Sequence, residues 1–255
     1  YADRPIKVIF SGDEEVGHKN SDKGELFIKE SKGYAAAFDC ETGYLDNGIV
    51  VNRKGSANFI LEIQGISAHA GNEPENGRSA ILEAAYKVID IHKLTNFKEG
   101  TTYNVGVIQG GTVPNAVPDY VKLEIDVRFV DLNKSKDIIA KLQDVANKVY
   151  IDGTKSTLSG GVSFKPMETT EGVMKLFEHY RKVSMDLGYG EPYPKKSGGG
   201  SDAAYTVIAG VPSICAVGVK GKWNHSPKEV ADVESIFERT KLLIASVVTL
   251  EKDLL

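Results

Sequence analysis

Short apolar, β-branched runs alternate along this chain with longer amphipathic stretches. Ile6-Lys7-Val8-Ile9-Phe10 predicts a buried strand, which stops at the acidic turn Ser11-Gly12-Asp13-Glu14-Glu15-Val16-Gly17. Helical spacing follows over residues 22–31 and Gly33 closes it. Residues 34–38 then predict a second strand, ending in a second acidic turn, Asp39-Cys40-Glu41-Thr42-Gly43. Strand, helix and strand at this spacing predict a βαβ unit, and so a parallel sheet covered by helices.

From about residue 54 the period changes. Residues 57–65 alternate as a strand and 79–94 have helical spacing; 101–110 and 120–130 alternate again around a Gly-Gly-Thr-Val-Pro-Asn turn. A second amphipathic helix is predicted over 135–150 and a last strand over 162–166. The order β-α-β-β-α-β predicts a ferredoxin-like sandwich of helices on an antiparallel sheet. After residue 166 the α/β pattern resumes, with a helix over 171–187, a Lys/Gly-rich loop over 194–201, a short helix over 203–209, a buried strand over 212–217 and a long helix over 233–252. The chain is therefore read as a discontinuous α/β domain (residues 1–53 and 167–255) with a partial parallel or mixed sheet, interrupted by a ferredoxin-like α+β domain over 54–166.

Composition narrows the function. The chain is 41% hydrophobic and 26% charged, an ordinary globular balance. Against 35 acidic side chains stand 31 basic ones, a net charge of −4 that argues against a nucleic-acid partner. No apolar run nears the roughly 20 residues that span a bilayer, which argues against a membrane partner. Two cysteines, Cys40 and Cys215, are too few for a disulfide framework, and nothing at the start resembles a signal peptide, so a reducing cytoplasm is expected.

Candidate chemistry sits at strand ends, because ligands of open parallel sheets bind beyond the carboxyl ends of the strands. Those ends carry Asp13-Glu14-Glu15, Asp39-Cys40-Glu41 and, after the 212–217 strand, Trp223-Asn224-His225-Ser226. Carboxylates without a basic counterpart are costly to hold together unless a cation neutralises them. One histidine with carboxylates is a ligand set for Zn²⁺ or a similar divalent ion. Singly, each acidic turn reads more readily as a solvated loop tip. Adjacent Glu14 and Glu15 are harder to dismiss, since one carboxylate can bind metal while its neighbour faces the substrate water.

At these residues a resemblance becomes specific. Ser11-Gly12-Asp13-Glu14-Glu15-Val16-Gly17 resembles the Asp-Glu-Glu-x-Gly turn of the M20 metallopeptidases, the family of glutamate carboxypeptidase, acetylornithine deacetylase, succinyl-diaminopimelate desuccinylase and peptidase T. Further matches follow in order: Ser67-Ala68-His69-Ala70-Gly71, Gly110-Gly111-Thr112-Val113-Pro114-Asn115 with Asp126-Val127-Arg128, Gly199-Gly200-Ser201-Asp202, and His225-Ser226-Pro227-Lys228-Glu229. Any one is weak; five in register are strong. The resemblance implies a zinc-peptidase catalytic domain interrupted by a lid that also serves dimerisation.

It also implies roles. Glu14 matches the general base, Glu15 a metal ligand, and His225 a ligand of the same ion. Glu41 matches a carboxylate on a second ion, because the run to Arg53-Lys54-Gly55 fits; Asp39, two residues earlier, is the alternative. His69 resembles the histidine that polarises the scissile carbonyl from the partner subunit's lid, against the plainer reading of a turn histidine capping the helix near Ser79. Asn115 and Arg128 match lid residues that grip polar groups of the substrate, although Arg128 also reads as an exposed strand charge. Gly199, Gly200 and Ser201 match the substrate loop. His18, His92 and His179 match nothing and are read as surface or helix residues. The implied cofactor is a pair of Zn²⁺ ions, with Co²⁺ or Mn²⁺ able to replace them, and the implied partners are a peptide or N-acyl amino acid substrate and a second copy of the chain.

Two elements of the family's metal site, a His-x-Asp turn and a later bridging Asp, lie upstream of its Asp-Glu-Glu turn, and only twelve residues precede Asp13. The expectation is a piece of a longer enzyme, depleted of metal and impaired in activity. Within the hydrolase class, a carboxypeptidase or tripeptidase is favoured over an N-acyl amino acid deacylase. A non-catalytic dimerising binding protein is the alternative from another class, and an oxidoreductase is disfavoured because no Gly-x-Gly-x-x-Gly follows a strand.

Overall fold

The computed structural model describes residues 4–18, 21–22 and 24–251. The chain divides into two compact units, one of residues 1–54 with 165–255 and one of residues 55–164. In chain order the first unit opens with a 3₁₀ turn at Glu14–Val16, helix α1 (Glu25–Ser31), and strands β1 (Ala37–Asp39) and β2 (Gly48–Arg53). The second unit holds β3 (Gly55–Gln64), β4 (Ala68–His69), α2 (Ala80–Lys93), β5 (Thr102–Gly110), β6 (Ala116–Val117), β7 (Tyr120–Phe129), α3 (Lys134–Asn147) and β8 (Lys155–Phe164). The first unit then resumes with α4 (Glu171–Asp186), β9 (Tyr193–Ser197), α5 (Ala203–Ile208), β10 (Ser213–Cys215), β11 (Gly221–Lys222), β12 (Val230–Ala231) and α6 (Val233–Thr249).

The sheet of the first unit runs β1-β10-β2-β9 and is mixed: β1 lies parallel to β10, β10 antiparallel to β2, and β2 parallel to β9. Ile49, Val50, Ile214 and Cys215 are buried in it beneath Leu176, Phe177 and Tyr180 of α4. Two expectations are corrected here. Residues 6–10 form no strand, and Ile6, Val8 and Phe10 are 73%, 67% and 92% exposed. A strand is stabilised by a neighbour's ladder and a face to bury, and an apolar run by itself supplies neither. The expected βαβ unit built on it is therefore replaced by the parallel pairs β1–β10 and β2–β9. Second, the expected loop over 194–201 begins as a strand. β9 is the sheet's edge, so a polar Lys195-Lys196 step is tolerated while the backbone pairs with β2.

The second unit is the ferredoxin-like sandwich that the element order predicted. Its sheet runs β5-β7-β3-β8, every pair antiparallel, with a register shift in β5 between Val105 and Val107. Strand residues Phe59, Leu61, Ile63, Leu123, Ile125 and Val127 alternate onto one face, where Ala84 and Ile91 of α2 and Ile138 and Leu142 of α3 bury them. β4 and β6 form a separate short ribbon that pairs His69 with Ala116.

Inside this unit one ion pair is buried completely. Glu83 and Lys87, one turn apart on α2, are both fully buried with Nζ 3.1 Å from Oε1. Lys87 Nζ also donates to the carbonyls of Val145 and Ala146, each at 2.9 Å, and to that of Lys148, so it caps the end of α3. Glu83 Oε2 accepts from the backbone N–H groups of Tyr150 (2.9 Å) and Ile151 (2.7 Å). Removing one partner of such a pair strands the other charge. Lys87→Met is expected to destabilise the chain by about 3 kcal/mol, and adding Glu83→Gln to recover part of that loss. Urea unfolding checks both; a single mutant as stable as wild type would refute the assignment.

Candidate active site

A single 3₁₀ turn aims the two adjacent glutamates. The Asp13 carbonyl accepts from Val16 N–H (3.3 Å) and His18 N–H (3.0 Å), and Gly17 N–H donates to the Glu14 carbonyl (2.7 Å). Gly17 closes the turn at φ 67°, a left-handed conformation that glycine adopts without steric cost. Glu15 is left exposed and Glu14 half-buried. Burial pushes the Glu14 carboxyl up to about 7; the charges of Glu41, Asp202 and Glu15 add to this, and Arg53 opposes them.

The second acidic turn follows β1, and its two candidate ligands have different surroundings. Asp39 accepts a hydrogen bond from the hydroxyl of fully buried Ser201. Glu41 is half-buried, and burial first, then the charge of Asp39, raises its carboxyl above the ordinary glutamate range, with Glu15 adding to the rise. Ser201 Oγ also lies 3.5 Å from Cys215 Sγ and accepts from Ala203 N–H, so the hydroxyl is engaged inside the protein. The preceding glycines are held by their backbones. Arg53, 9% exposed, donates through Nη1 to the carbonyls of Gly200 (2.7 Å) and Gly199 (3.3 Å), and through Nε to Cys215 Sγ (3.2 Å).

His225 comes to the same rim from the β11–β12 connection. Its Nε2 stands 3.7 Å from Glu15 Oε2, both side chains being largely exposed. Trp223 and His225 have φ values of 64° and 63°, a left-handed backbone that is uncommon for bulky residues and concentrates at functional sites. The structure thus brings Glu15 and His225 together, with Glu14 and Glu41 near enough for their charges to act on one another. Carboxylate and imidazole donors suit zinc in kind. In number they fall short: among the described residues no group of three His, Cys, Asp or Glu side chains is gathered that could hold a metal ion.

His18 corrects the sequence reading. Expected at the surface or on a helix, it is 2% exposed and bound at both ring nitrogens: Nδ1 lies 2.7 Å from Asp13 Oδ1 and Nε2 2.6 Å from Asp202 Oδ1. No motif marks it, and the only hint in the sequence is its place directly after the turn glycine. His92 and His179 lie on α2 and α4 as expected, with His179 Nε2 2.8 Å from the Ser246 carbonyl.

In the second unit the β4–β6 ribbon sets His69 beside Asn115, whose carbonyl accepts from Ala70 N–H (2.9 Å). His69 Nδ1 accepts from Gly71 N–H and Asn72 N–H, each at 3.1 Å, so the ring proton sits on Nε2. His69 does not cap α2; the hydroxyl of Ser79 does, accepting from Leu82 N–H (3.1 Å). Arg128 is elsewhere. It stands eight residues beyond Tyr120 along β7, about 27 Å at ~3.4 Å per residue, with Nε 2.9 Å from Asp126 Oδ1. His69 and Asn115 therefore share one end of the sheet and Arg128 occupies the other.

No helix among the described residues is long and apolar enough to cross a membrane, and Cys40 and Cys215 are free thiols.

Comparison with known proteins agrees with the motifs. Residues 51–154 match the peptidase dimerisation domain of the M20 family. Over 246 residues the chain is 28% identical to carboxypeptidase G2 of a Pseudomonas species, an alignment covering 92% of this chain and 56% of that protein. It is 31% identical over 177 residues to the indole-3-acetyl-aspartic acid hydrolase of Enterobacter agglomerans, covering 66% of this chain and 39% of the relative. Among solved structures, aminopeptidase PepT from Bacillus cereus superposes with a TM-score of 0.78 at 26% identity, over 95% of this chain and 62% of that one. The chain thus spans between 39% and 62% of the length of these relatives. With a dimerisation-domain match nested inside similarity that runs across nearly the whole sequence, the chain belongs to the M20 peptidase family.

Proposed function

We propose that this chain carries the proton-transfer carboxylate and part of the ligand set of a metal-dependent amide-bond hydrolase, an exopeptidase of the carboxypeptidase or tripeptidase kind. The observation that carries the reading is Glu14, half-buried and with its carboxyl raised to about 7 by burial and by neighbouring carboxylates. A group that titrates near neutrality takes and returns a proton at low cost. Glu14 is therefore assigned as the base that takes a proton from the attacking water and returns it to the leaving nitrogen. Glu15, Glu41 and His225 are assigned as ligands, and the bond between Asp39 and Ser201 favours Glu41 over Asp39. Zinc, or cobalt or manganese in its place, would polarise the scissile carbonyl and acidify the attacking water.

His69, with its proton on Nε2, is assigned as the donor to the developing oxyanion. Asn115 is assigned to a polar group of the substrate and Arg128 to a carboxylate, which a guanidinium can hold with two bonds. Gly199, Gly200 and Ser201 are assigned to the substrate loop. Its backbone would face the substrate, since the Ser201 hydroxyl is engaged by Asp39. A second reading, an N-acyl amino acid deacylase, is favoured by the 31% identity to a relative named for hydrolysis of indole-3-acetyl-aspartic acid. A positioned, perturbed Glu14 argues against a purely binding role. The free thiols support a cytoplasmic setting.

We also assign a homodimer formed through the second unit. One copy presents His69 and Arg128 at opposite ends of a sheet, too far apart to grip one small substrate, so two copies would supply the two ends. β5 is an edge strand with Val107 and Ile108 exposed, and Ile81 and Ile89 of the neighbouring helix α2 are exposed as well. Edges of this kind pair readily across a two-fold axis.

Two measurements test these assignments. In the chain extended upstream to the rest of the ligand set and supplied with zinc, Glu14→Gln is expected to lower hydrolysis of tripeptides or C-terminal-glutamate peptides at least about 100-fold while metal content stays unchanged. Equal, measurable rates in the two extended proteins would sink the base assignment. In sedimentation, the wild-type chain is expected to run as a dimer at micromolar concentration and Val107→Glu/Ile108→Glu as a monomer. A monomeric wild type would overturn the dimer.

A further inference from the structure

The Asp13–His18–Asp202 cluster is used by none of the assignments above. Both ring nitrogens of His18 face carboxylate oxygens at hydrogen-bond distance, Nδ1 to Asp13 at 2.7 Å and Nε2 to Asp202 at 2.6 Å. A carboxylate only accepts, and a neutral imidazole has a single N–H to give. The geometry is satisfied when both nitrogens carry protons, that is, by an imidazolium between two carboxylates. The second oxygen of Asp202 accepts from the Ser11 hydroxyl at 2.8 Å, which holds that carboxylate in line with the ring.

The ring is enclosed as well as bonded. The His18 side chain is 3% exposed, against 30% for Asp13 and 13% for Asp202. Phe27 of α1 packs against it at a centroid distance of 6.1 Å, and Tyr205 of α5 meets it nearly edge-on at 5.6 Å. Its backbone lies at φ 51°, a left-handed conformation that histidine tolerates at some cost and that the two charged bonds offset. The ring therefore joins three pieces of chain: the acidic turn, the residue that opens α5, and α1.

We propose that His18 is a positioning residue, an imidazolium that clamps the Asp13-Glu14-Glu15 turn to Asp202 and thereby fixes where Glu14 stands. The proposal rests on the reading of Glu14 as the proton carrier. Asp202 is one of the charges acting on Glu14, so the clamp sets both the place of that carboxylate and part of the field around it. Among the described residues, Asp13 on its own turn and Asp202 from the α5 side act on the ring, and Tyr205 packs against it; Asp202, Glu14, Asp13 and Asp22 act in turn on the Tyr205 hydroxyl, with Lys165 over the Tyr205 ring at 5.8 Å. Burial alone would lower the His18 pKa, but the hydrogen bonds to Asp202 and Asp13 outweigh it, and the net direction is upward. The sign follows. With a raised folded-state pKa, the clamp contributes stability below the ordinary histidine value of about 6.5 and loses it as pH rises through the folded value.

Nitrogen NMR of the five histidines in this chain tests the clamp without reference to catalysis. At pH 7 one imidazole, missing from the spectrum of His18→Gln, is expected to show both nitrogens protonated. A neutral, single-tautomer His18 at pH 7 would overturn the inference. Asp202→Asn keeps the shape of the site while removing one carboxylate acceptor, and it identifies the signal should His18→Gln fail to fold. It is expected to turn the ring neutral at pH 7, with the remaining proton toward Asp13, and to speed amide exchange across residues 14–17 at least tenfold. Unchanged protonation and exchange in Asp202→Asn would also overturn it. Equal, measurable hydrolysis by the upstream-extended wild type and Glu14→Gln beside an intact imidazolium signal would defeat the functional reading and leave the clamp standing as a structural device.

Discussion

A buried guanidinium organises the first unit. Arg53 ends β2, exchanges two backbone hydrogen bonds with Met167 at 3.0 Å each, and sends its side chain under the glycine loop that follows β9. Burying a cation is costly unless its donors are used and a counter-charge is near. Here the donors go to two carbonyls and a thiol, and the counter-charge comes from Glu14, Glu41 and Asp39. One side chain thus ties β2, the glycine loop and β10 together and holds positive charge beside the half-buried carboxylates. That Gly199 and Gly200 are held by their carbonyls explains how a run of three glycines keeps a definite path: the anchor lies in Arg53, and the glycines contribute only room.

Much of this was legible from period and punctuation alone. In the second unit each strand has one buried and one solvated face, so alternation reports the sheet directly, and the helices show matching apolar stripes. The first unit gives weaker signals for physical reasons. β2 is buried almost throughout, and Gly-Ile-Val-Val-Asn-Arg shows no alternation to catch. β9 fails in the opposite sense, because Tyr193-Pro194-Lys195-Lys196-Ser197 is held by its ladder to β2 and little by side-chain burial. Residues 6–10 have the composition of a strand without the neighbour that would make one.

The site divides along a similar line. Motif spacing singled out Glu14 and Glu15 on one turn and Glu41 and His225 on separate loops, and the structure brings these side chains near one another. It could not choose between Asp39 and Glu41, since alternation puts residues two apart on one side of a strand. In the structure their surroundings differ through Ser201, 162 residues from Asp39, whose hydroxyl donates to Asp39. His18 was missed for the same reason. Its second carboxylate lies 184 residues away, and no local pattern announces a contact that only the fold creates.

The electrostatics of the rim then follow from a mismatch in number. Glu14 feels three carboxylates, Glu41, Asp202 and Glu15, against the one guanidinium of Arg53. His18 is placed to offset part of that excess at Asp202, but its ring is turned to Asp13 and Asp202 and away from Glu15 and Glu41. Excess negative charge in a half-buried setting has two physical outlets, uptake of a proton or uptake of a cation. Burial is the larger cause of the rise of Glu14 toward neutrality, and this excess adds to it. A cation bound beside Glu15 would relieve the charge part of that rise and so favour the ionised form that a base requires.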